Sequence, residues 1–133
     1  MGRKIHIHHI AIWARNLEIL KDFYCRYFKG VAGESYHNPA KDFKSYFVRF
    51  GSGSALELMQ QPGKISISLD RELEAFGYAH IAISVGSKEE VDFLTYRLRK
   101  DGYRIVGEPR TTGDGFYESV VLDPEGNRVE ITE

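Results

Sequence analysis

The four residues His9–Ile12 recur unchanged as His80–Ile83 in the second half of the chain. Each copy is a β-prone run that predicts a short strand. Each copy also begins with a histidine, whose imidazole is a common metal ligand. The helix N-caps suggested by Asn16 and Ser87 are separated by the same interval as the two histidines. The chain is therefore predicted to contain two similar units.

The first unit is predicted to have the order β-α-β-β-β. Alternation over residues 4–14 predicts a strand that carries His9 on one face and His8 on the other. An amphipathic helix follows and is expected to end at Gly30. Its apolar face comprises Leu17, Leu20, Phe23, Tyr24, Tyr27 and Phe28. Three further strands are predicted at Val31–Tyr36, Phe43–Phe50 and Ser54–Gln60.

The second unit repeats this order. A strand at Ala79–Val85 precedes a helix that begins with the capping-box pattern Ser87–Glu90 and ends at Gly102. The apolar side of this helix is predicted to hold Val91, Leu94, Tyr96 and Leu98. The last three strands are predicted at Tyr103–Glu108, Gly115–Leu122 and Arg128–Thr132, with a tight turn at Asp123–Asn127 before the final one.

The predicted fold class is therefore α+β, with two tandem βαβββ modules. The first module spans about residues 4–60, the connection residues 61–78, and the second module residues 79–133. The run Ile65–Leu69 within the connection suits either a strand or an extended stretch. A chain of 133 residues is a suitable length for one domain, so residues 1–133 are assigned to a single domain.

Composition excludes several classes of partner. The net charge is −1, from 18 basic and 19 acidic residues, whereas a nucleic-acid-binding domain normally carries a basic excess. No apolar run approaches the roughly 18–20 residues that a membrane span requires. The N-terminus lacks the apolar core of a signal peptide, and the single cysteine, Cys25, suits a reducing compartment. A cytoplasmic location is therefore expected.

Four residues at matching places in the repeat form a candidate metal site, namely His9, Glu57, His80 and Glu130. Each glutamate is a single charge within an apolar strand, where burial is unfavourable unless the carboxylate is paired or bound to a metal. The interval from Glu57 to Glu130 is nearly the same as the interval from His9 to His80. Any one of the four taken alone would equally suit a solvent-facing strand position.

Two imidazoles and two carboxylates form a mixed nitrogen and oxygen ligand set. Such a set suits one divalent ion, with Zn or Ni as the leading candidates and Fe, Co or Mn as alternatives. Positions would remain on the ion for water or substrate. Arg15, Arg49, Arg110 and Arg128 are candidates for receiving an anionic group of that substrate, although each would also suit the protein surface.

The ordered set of motifs resembles the vicinal oxygen chelate superfamily, which includes glyoxalase I, bleomycin-resistance proteins and extradiol dioxygenases. The matching stretches cover nearly the whole chain, and they are His9–Glu18 with Phe23-Tyr24, Leu56–Leu58, His80–Val85 and Leu122–Glu130. The resemblance implies paired βαβββ modules whose eight strands curve around a metal cavity. It also implies a homodimer in which both subunits often contribute to the site.

Within that superfamily, the order His-Glu-His-Glu resembles glyoxalase I (lactoylglutathione lyase). That enzyme converts the thiol hemithioacetal of a 2-oxoaldehyde such as methylglyoxal to a 2-hydroxyacyl thioester through an enediolate. The resemblance implies that His9, Glu57, His80 and Glu130 bind the metal. It further implies that Glu130 is the catalytic base and that Glu57 is its partner.

Other members of the superfamily provide the alternatives. Extradiol dioxygenases and fosfomycin-resistance thiol transferases resemble a three-ligand pattern that would use only His9, His80 and Glu130. A related metal-dependent epimerase with another acyl substrate also fits the motifs. A bleomycin-resistance-like protein would bind a small molecule without a metal and without catalysis. Such a protein would not be expected to carry a histidine and a glutamate at matching positions of both units.

Overall fold

The computed structural model describes residues 4–66 and 74–133, which form nine strands and two helices. In chain order these are β1 (His9–Trp13), α1 (Leu17–Phe28), β2 (Val31–Ala32), β3 (Tyr36–Asn38), β4 (Phe43–Arg49), β5 (Ala55–Gln60), β6 (Ile81–Ser84), α2 (Lys88–Lys100), β7 (Ile105–Thr111), β8 (Tyr117–Leu122) and β9 (Arg128–Thr132). The chain divides into two compact units, Met1–Ser66 and Ile67–Glu133.

Each unit has one mixed sheet and one helix, which confirms the predicted α+β class and the βαβββ order. Part of the predicted connection, residues 67–73, lies outside the described residues, and so does most of the Ile65–Leu69 run. The assignment of residues 1–133 to one domain stays a prediction. Neither helix of the described residues is long and apolar enough to cross a membrane.

The sheet of the first unit has the strand order β1-β5-β4-β2, and β3 also pairs with β4. β1 is parallel to β5, while the other pairs are antiparallel. A single strand was predicted over Val31–Tyr36, but the structure has the two short strands β2 and β3 on the same side of β4. Gly33 lies in the interruption, and a glycine weakens a strand because it offers no side chain for packing. Together β2 and β3 fill one strand position.

The first strand is shorter than predicted. Residues 4–14 alternate, but β1 begins at His9, which pairs with Ala55, the first residue of β5. The length of the partner strand therefore sets the start of β1. This places His9 at the very end of the sheet, where its side chain stays partly open to solvent.

Helix α1 has the predicted N-cap and buried face. The Asn16 side chain accepts a hydrogen bond from the backbone N–H of Ile19 at 3.2 Å. All six predicted apolar residues are buried where α1 packs on β4 and β5, and burial of one such side chain contributes about 1.5–3 kcal/mol. At the other end, Lys29 rather than Gly30 adopts the left-handed conformation, with φ of 57°. Gly30 is instead needed for space, because a Cβ there would lie 2.5 Å from Val48 Cγ1.

The sheet of the second unit has the order β6-β9-β8-β7, with β6 parallel to β9. Helix α2 is capped by Ser87, whose hydroxyl accepts a hydrogen bond from the Glu90 N–H at 3.2 Å. Its buried residues are Val91, Leu94, Thr95 and Leu98. The prediction for Tyr96 was wrong: this side chain is 63% exposed. Position 96 is five residues after Val91, so it lies on the far side of a helix with 3.6 residues per turn.

The turn before the last strand is the one predicted from Asp123–Asn127. The Asp123 carboxylate accepts hydrogen bonds from the backbone N–H groups of Glu125 and Asn127, both at 2.9 Å. The Asp123 N–H donates to the Asn127 carbonyl at 2.8 Å. This closed turn sets the register of β8 against β9 and therefore the position of Glu130 on the sheet.

Candidate metal centre

The parallel pairing of β1 and β5 brings His9 and Glu57 together. Glu57 lies opposite Ala11, and His9 is two residues before Ala11, so the two side chains lie on one face of the sheet. The Nε2 atom of His9 is 3.6 Å from Oε1 of Glu57. The first unit therefore presents one imidazole and one carboxylate side by side.

The second unit repeats this arrangement. Glu130 lies opposite Ala82, and His80 is two residues before Ala82. The Nε2 atom of His80 is 3.1 Å from Oε2 of Glu130. In both pairs the histidine side chain is 37% exposed and the glutamate side chain 20% exposed. The two pairs thus share register and exposure and differ by 0.5 Å in separation, as expected of one local structure built twice.

Both carboxylates lie on the sheet face that points away from the helix of their unit. Leu58, beside Glu57, and Ile131, beside Glu130, are fully buried. Helix α1 packs on β5 and helix α2 packs on β9, so alternation leaves the glutamates on the open side. The isolated charge in each apolar strand is explained by this alternation.

The structure thus brings the four predicted residues together as two pairs, one in each unit. In the part of the chain that the structure describes, no group of three or more His, Cys, Asp or Glu side chains could hold a metal ion. The four-residue set stays a prediction.

Two neighbours fix the imidazole of His9. The Phe47 ring meets it edge to face, with centroids 5.3 Å apart, and Phe47 also lies opposite Glu57 in the sheet. On the other side, the Nδ1 atoms of His8 and His9 lie 2.8 Å apart in a hydrogen bond. Because Nδ1 of His9 is engaged in this way, Nε2 is the nitrogen directed at Glu57. A partner on one ring nitrogen is the usual means of orienting a metal-binding histidine.

A third carboxylate, Glu118, lies beside Glu130 and was missed by the sequence analysis. It is 8% exposed and lies opposite Thr132, on the same face as Glu130. In its neutral form the Glu118 carboxyl group donates a hydrogen bond to the Glu130 carboxylate. Its Oε2 atom is buried without a hydrogen-bond partner among the described residues. The pKa of Glu118 is raised to about 7, first by this hydrogen bond and then by burial and the charge of Glu130, while Arg110 opposes the shift.

The signal for Glu118 was present in the sequence but was not repeated. Like Glu57 and Glu130, it stands in a strand that is largely apolar. Its counterpart in the first unit is Ser45, because the interval from position 45 to position 118 equals the interval from Glu57 to Glu130. Because this counterpart is a serine, the repeat between the two units does not indicate Glu118.

The raised pKa of Glu118 predicts a pH-dependent stability of the metal-free protein. A carboxyl group whose pKa is about 7 when folded and 4.5 in its ordinary state holds its proton more firmly in the folded state. Its stabilising contribution is complete below the ordinary pKa and is lost as the pH rises through about 7. The free energy of unfolding is expected to be on the order of 2 kcal/mol lower at about pH 8 than at about pH 5.

Urea unfolding in the presence of a chelator measures this difference. The Glu118→Gln variant, which has no titrating group at position 118, is the control. Subtraction of its pH profile leaves the contribution of Glu118 together with its interaction with Glu130. Parallel profiles for the two proteins would contradict the assignment of the shift to Glu118.

The donor set of each pair suits a divalent ion. Two ligand atoms at about 2.0–2.2 Å from one ion, at tetrahedral or octahedral angles, lie roughly 3.0–3.5 Å apart. The His–Glu separations of 3.6 Å and 3.1 Å are close to that range. The carboxylate of each pair is only 20% exposed. A cation would offset the charge of these carboxylates, and the residues present therefore fit a metal.

Comparison with known proteins agrees with the fold and with the motifs. The sequence profile of the Glyoxalase/Bleomycin resistance protein/Dioxygenase superfamily matches residues 6–131. The uncharacterized protein YqjT of Bacillus subtilis (strain 168) is 25% identical over 128 residues, which are 94% of this chain and 96% of that protein.

Two solved structures are similar over most of their length. The trypanothione-dependent glyoxalase I of Leishmania major has a TM-score of 0.75 and 25% identity, over 98% of this chain and 87% of that one. A glyoxalase family protein of Enterococcus faecalis has a TM-score of 0.73 and 28% identity, over 96% of this chain and 97% of that one. With the profile match, these likenesses extend over both units, and the chain belongs to the Glyoxalase/Bleomycin resistance protein/Dioxygenase superfamily.

Proposed function

We propose that this protein is a metal-dependent lyase of the glyoxalase I type, in which His9, Glu57, His80 and Glu130 together bind one divalent ion. The observation that carries the proposal is the likeness of the two His–Glu pairs, which match in register and exposure and have separations of 3.6 Å and 3.1 Å. A structural histidine has no need of a matched carboxylate partner in both halves of a repeat. A metal bound by both pairs gives each of the four residues a role.

The position of Glu57 favours this class over its three-ligand relatives. A dioxygenase or thiol transferase of the superfamily would leave Glu57 away from the ion. Here Glu57 lies beside His9 at 3.6 Å, just as Glu130 lies beside His80 at 3.1 Å. The proposed site would therefore have four donors, which is the glyoxalase I pattern that the sequence resembles. Zn and Ni are the proposed ions, since both accept mixed imidazole and carboxylate ligands.

The proposed reaction moves one proton between neighbouring carbons of a 2-oxoaldehyde hemithioacetal. A bound divalent ion would polarise the two adjacent oxygens of the substrate and stabilise negative charge that develops on them. Glu130 removes the proton from the carbon that carries sulfur, which leaves an enediolate, and then delivers it to the next carbon, while the hydroxyl proton of the first carbon passes to the oxygen of the second. The product is a 2-hydroxyacyl thioester. Glu57, the carboxylate of the other pair, is the partner of Glu130 in this proton transfer.

The substrate class is proposed from the chemistry and from the named relative. The Leishmania enzyme is described as trypanothione-dependent, and a thiol conjugate is proposed for this chain as well. Arg110 lies opposite Glu118, and Arg128 is two residues before Glu130, so both are on the face that carries the carboxylates. Either guanidinium could receive an anionic group of the thiol. We also propose that the protein is a cytoplasmic homodimer with a small-molecule substrate.

The test is an isomerisation assay on protein depleted of metal and then loaded with Ni or Zn. The substrates are hemithioacetals formed from methylglyoxal with glutathione and with other cellular thiols. Turnover that appears with metal and disappears with a chelator supports the proposal. If the protein binds metal at stoichiometric level yet turns over none of these hemithioacetals, the proposed lyase reaction is wrong. An epimerase or dioxygenase reaction of the superfamily then becomes the proposed function. If no divalent ion binds, the protein is a binding module of the bleomycin-resistance kind.

A further inference from the structure

We infer that His8 is a positioning residue that holds the His9 imidazole with its Nε2 atom directed at the metal. The inference rests on the proposed function, because it assigns His9 to the metal. It adds a residue that is not one of the four proposed ligands and that has no equivalent in the second unit. It therefore gives the two His–Glu pairs different support.

The position at which β1 begins allows two neighbouring rings to meet. Alternation within a strand would place His8 on the face opposite to His9. Because β1 begins at His9, His8 lies just before the strand and does not follow its alternation. The Nδ1 atoms of the two rings lie 2.8 Å apart in a hydrogen bond, and the ring centroids are 5.1 Å apart in an edge-to-face arrangement. The side chain of His8 is thus turned toward its neighbour.

Hydrogen bonds to the start of β5 fix the main chain at His8. The His8 carbonyl accepts a hydrogen bond from the Ala55 N–H at 3.1 Å. The carbonyl of the preceding residue, Ile7, accepts one from the Ser54 hydroxyl. The segment before β1 is therefore attached to the same strand that carries Glu57, and His8 approaches His9 from a fixed position.

The contact between the two rings selects the nitrogen of His9 that can bind an ion. A neutral imidazole has one N–H and one nitrogen with a lone pair, and only the lone pair can bind a metal. Nδ1 of His9 faces His8, whereas Nε2 lies 3.6 Å from Oε1 of Glu57. With Nε2 on the ion, Nδ1 carries the hydrogen and donates a hydrogen bond to Nδ1 of His8. This bond requires no charge on either ring, because both imidazoles are neutral.

The His9 side chain needs such a restraint because it is 37% exposed. Phe47 restrains the ring from another side through its edge-to-face contact, but an apolar ring cannot distinguish between the two nitrogens. The hydrogen bond from His8 makes that distinction. A ligand already held in its binding orientation loses less conformational freedom when the ion binds, and partners of this kind usually fix the orientation of a metal-binding histidine.

The second unit has no counterpart of His8. The repeat places Ala79 before His80, where the first unit has His8 before His9. The methyl group of an alanine cannot hydrogen-bond to an imidazole. Among the described residues, Glu130 is the only hydrogen-bonding or charged partner of the His80 side chain. The inferred role of His8 is therefore a property of the first pair alone.

Three variants test the inference, namely His8→Ala, His8→Asn and the matched control His6→Ala. His6 is an exposed histidine of the same segment, and its Nδ1 atom faces the Lys4 carbonyl at 3.4 Å rather than His9. The amide oxygen of asparagine can take the place of His8 Nδ1 and accept the same hydrogen bond. The dissociation constant for Zn is measured by competition with a chromophoric chelator. The melting temperature of each protein, measured without metal, establishes that each variant is folded at the temperature of the titration.

His8→Ala is expected to weaken Zn binding about 10-fold, at the lower end of the effect of such partners because water can reach the exposed rings. His8→Asn and His6→Ala should keep an affinity close to that of the wild type. A merely structural role would change the melting temperature and leave the Zn affinity of the folded protein alone. Unchanged Zn affinity in His8→Ala would overturn the inference, and so would an equal loss in His8→Asn, which would indicate that the His8 ring itself binds the ion. Absence of Zn binding in the wild type would instead overturn the proposed function on which the inference rests.

Discussion

Replacement of Glu130 by glutamine is expected to lower kcat for hemithioacetal isomerisation by about 10²–10⁴-fold, the usual contribution of a positioned general base. The amide of glutamine fills the same space and can still offer its oxygen to a metal, but it cannot accept the substrate proton at neutral pH. Metal content is therefore expected to remain near that of the wild type. The loss should fall on kcat rather than on KM, because proton transfer is absent from the ground state.

Steady-state kinetics together with elemental analysis of the same sample measures this effect. Glu108→Gln is the matched control, because Glu108 is a 69% exposed glutamate of the same unit on β7 and pairs with Arg99 on the surface. Its turnover should be unchanged. If Glu130→Gln keeps both its metal and its turnover, Glu130 is not the base, and Glu57→Gln is then the variant that should lose activity.

Removal of either histidine of the two pairs should have the largest effect on metal binding. A four-ligand site with a binding free energy of about 10–16 kcal/mol averages roughly 3 kcal/mol per ligand, which corresponds to about 100-fold in affinity. His9→Ala and His80→Ala are each expected to lose about that factor or more. The matched control is His37→Ala, which removes an exposed histidine from β3. Isothermal titration with Zn compares the four proteins.

The same variants can show whether a site is built from one chain or from two. In a mixed dimer of His9→Ala and His80→Ala chains, a site that combines the first unit of one subunit with the second unit of the other is intact once per dimer. Such a mixture should regain part of the turnover that both single variants lack. If each site lies within one chain, every site in the mixed dimer lacks one histidine, and no turnover returns.

The architecture could be predicted from the sequence because its determinants are local. The repeated residues, the helix caps Asn16 and Ser87, and the turn at Asp123 act on residues within a few positions along the chain. The superfamily was recognised from the same motifs and is confirmed by the profile match. The apolar face of α1 was also predicted in full, because a period of three to four residues marks it unambiguously.

Features that depend on partners in space were not predictable in the same way. The start of β1 is set by the length of β5. Glu118 lies beside Glu130 only because β8 and β9 are paired in this register. The contact between each histidine and its glutamate depends on two parallel strands that are distant in the chain. The repeat indicated only that the two pairs would be alike.

The central claim is that both His–Glu pairs bind a single divalent ion, and the metal stoichiometry tests it most directly. Native mass spectrometry of protein loaded with Zn and then freed of excess metal is expected to show one ion per chain. When a competing chelator of intermediate affinity removes the excess metal, His9→Ala and His80→Ala should each show nearly none, because each has lost about 100-fold in affinity for the ion. Two ions per chain in the wild type, or one ion retained in either histidine variant, would contradict a site shared by the two pairs.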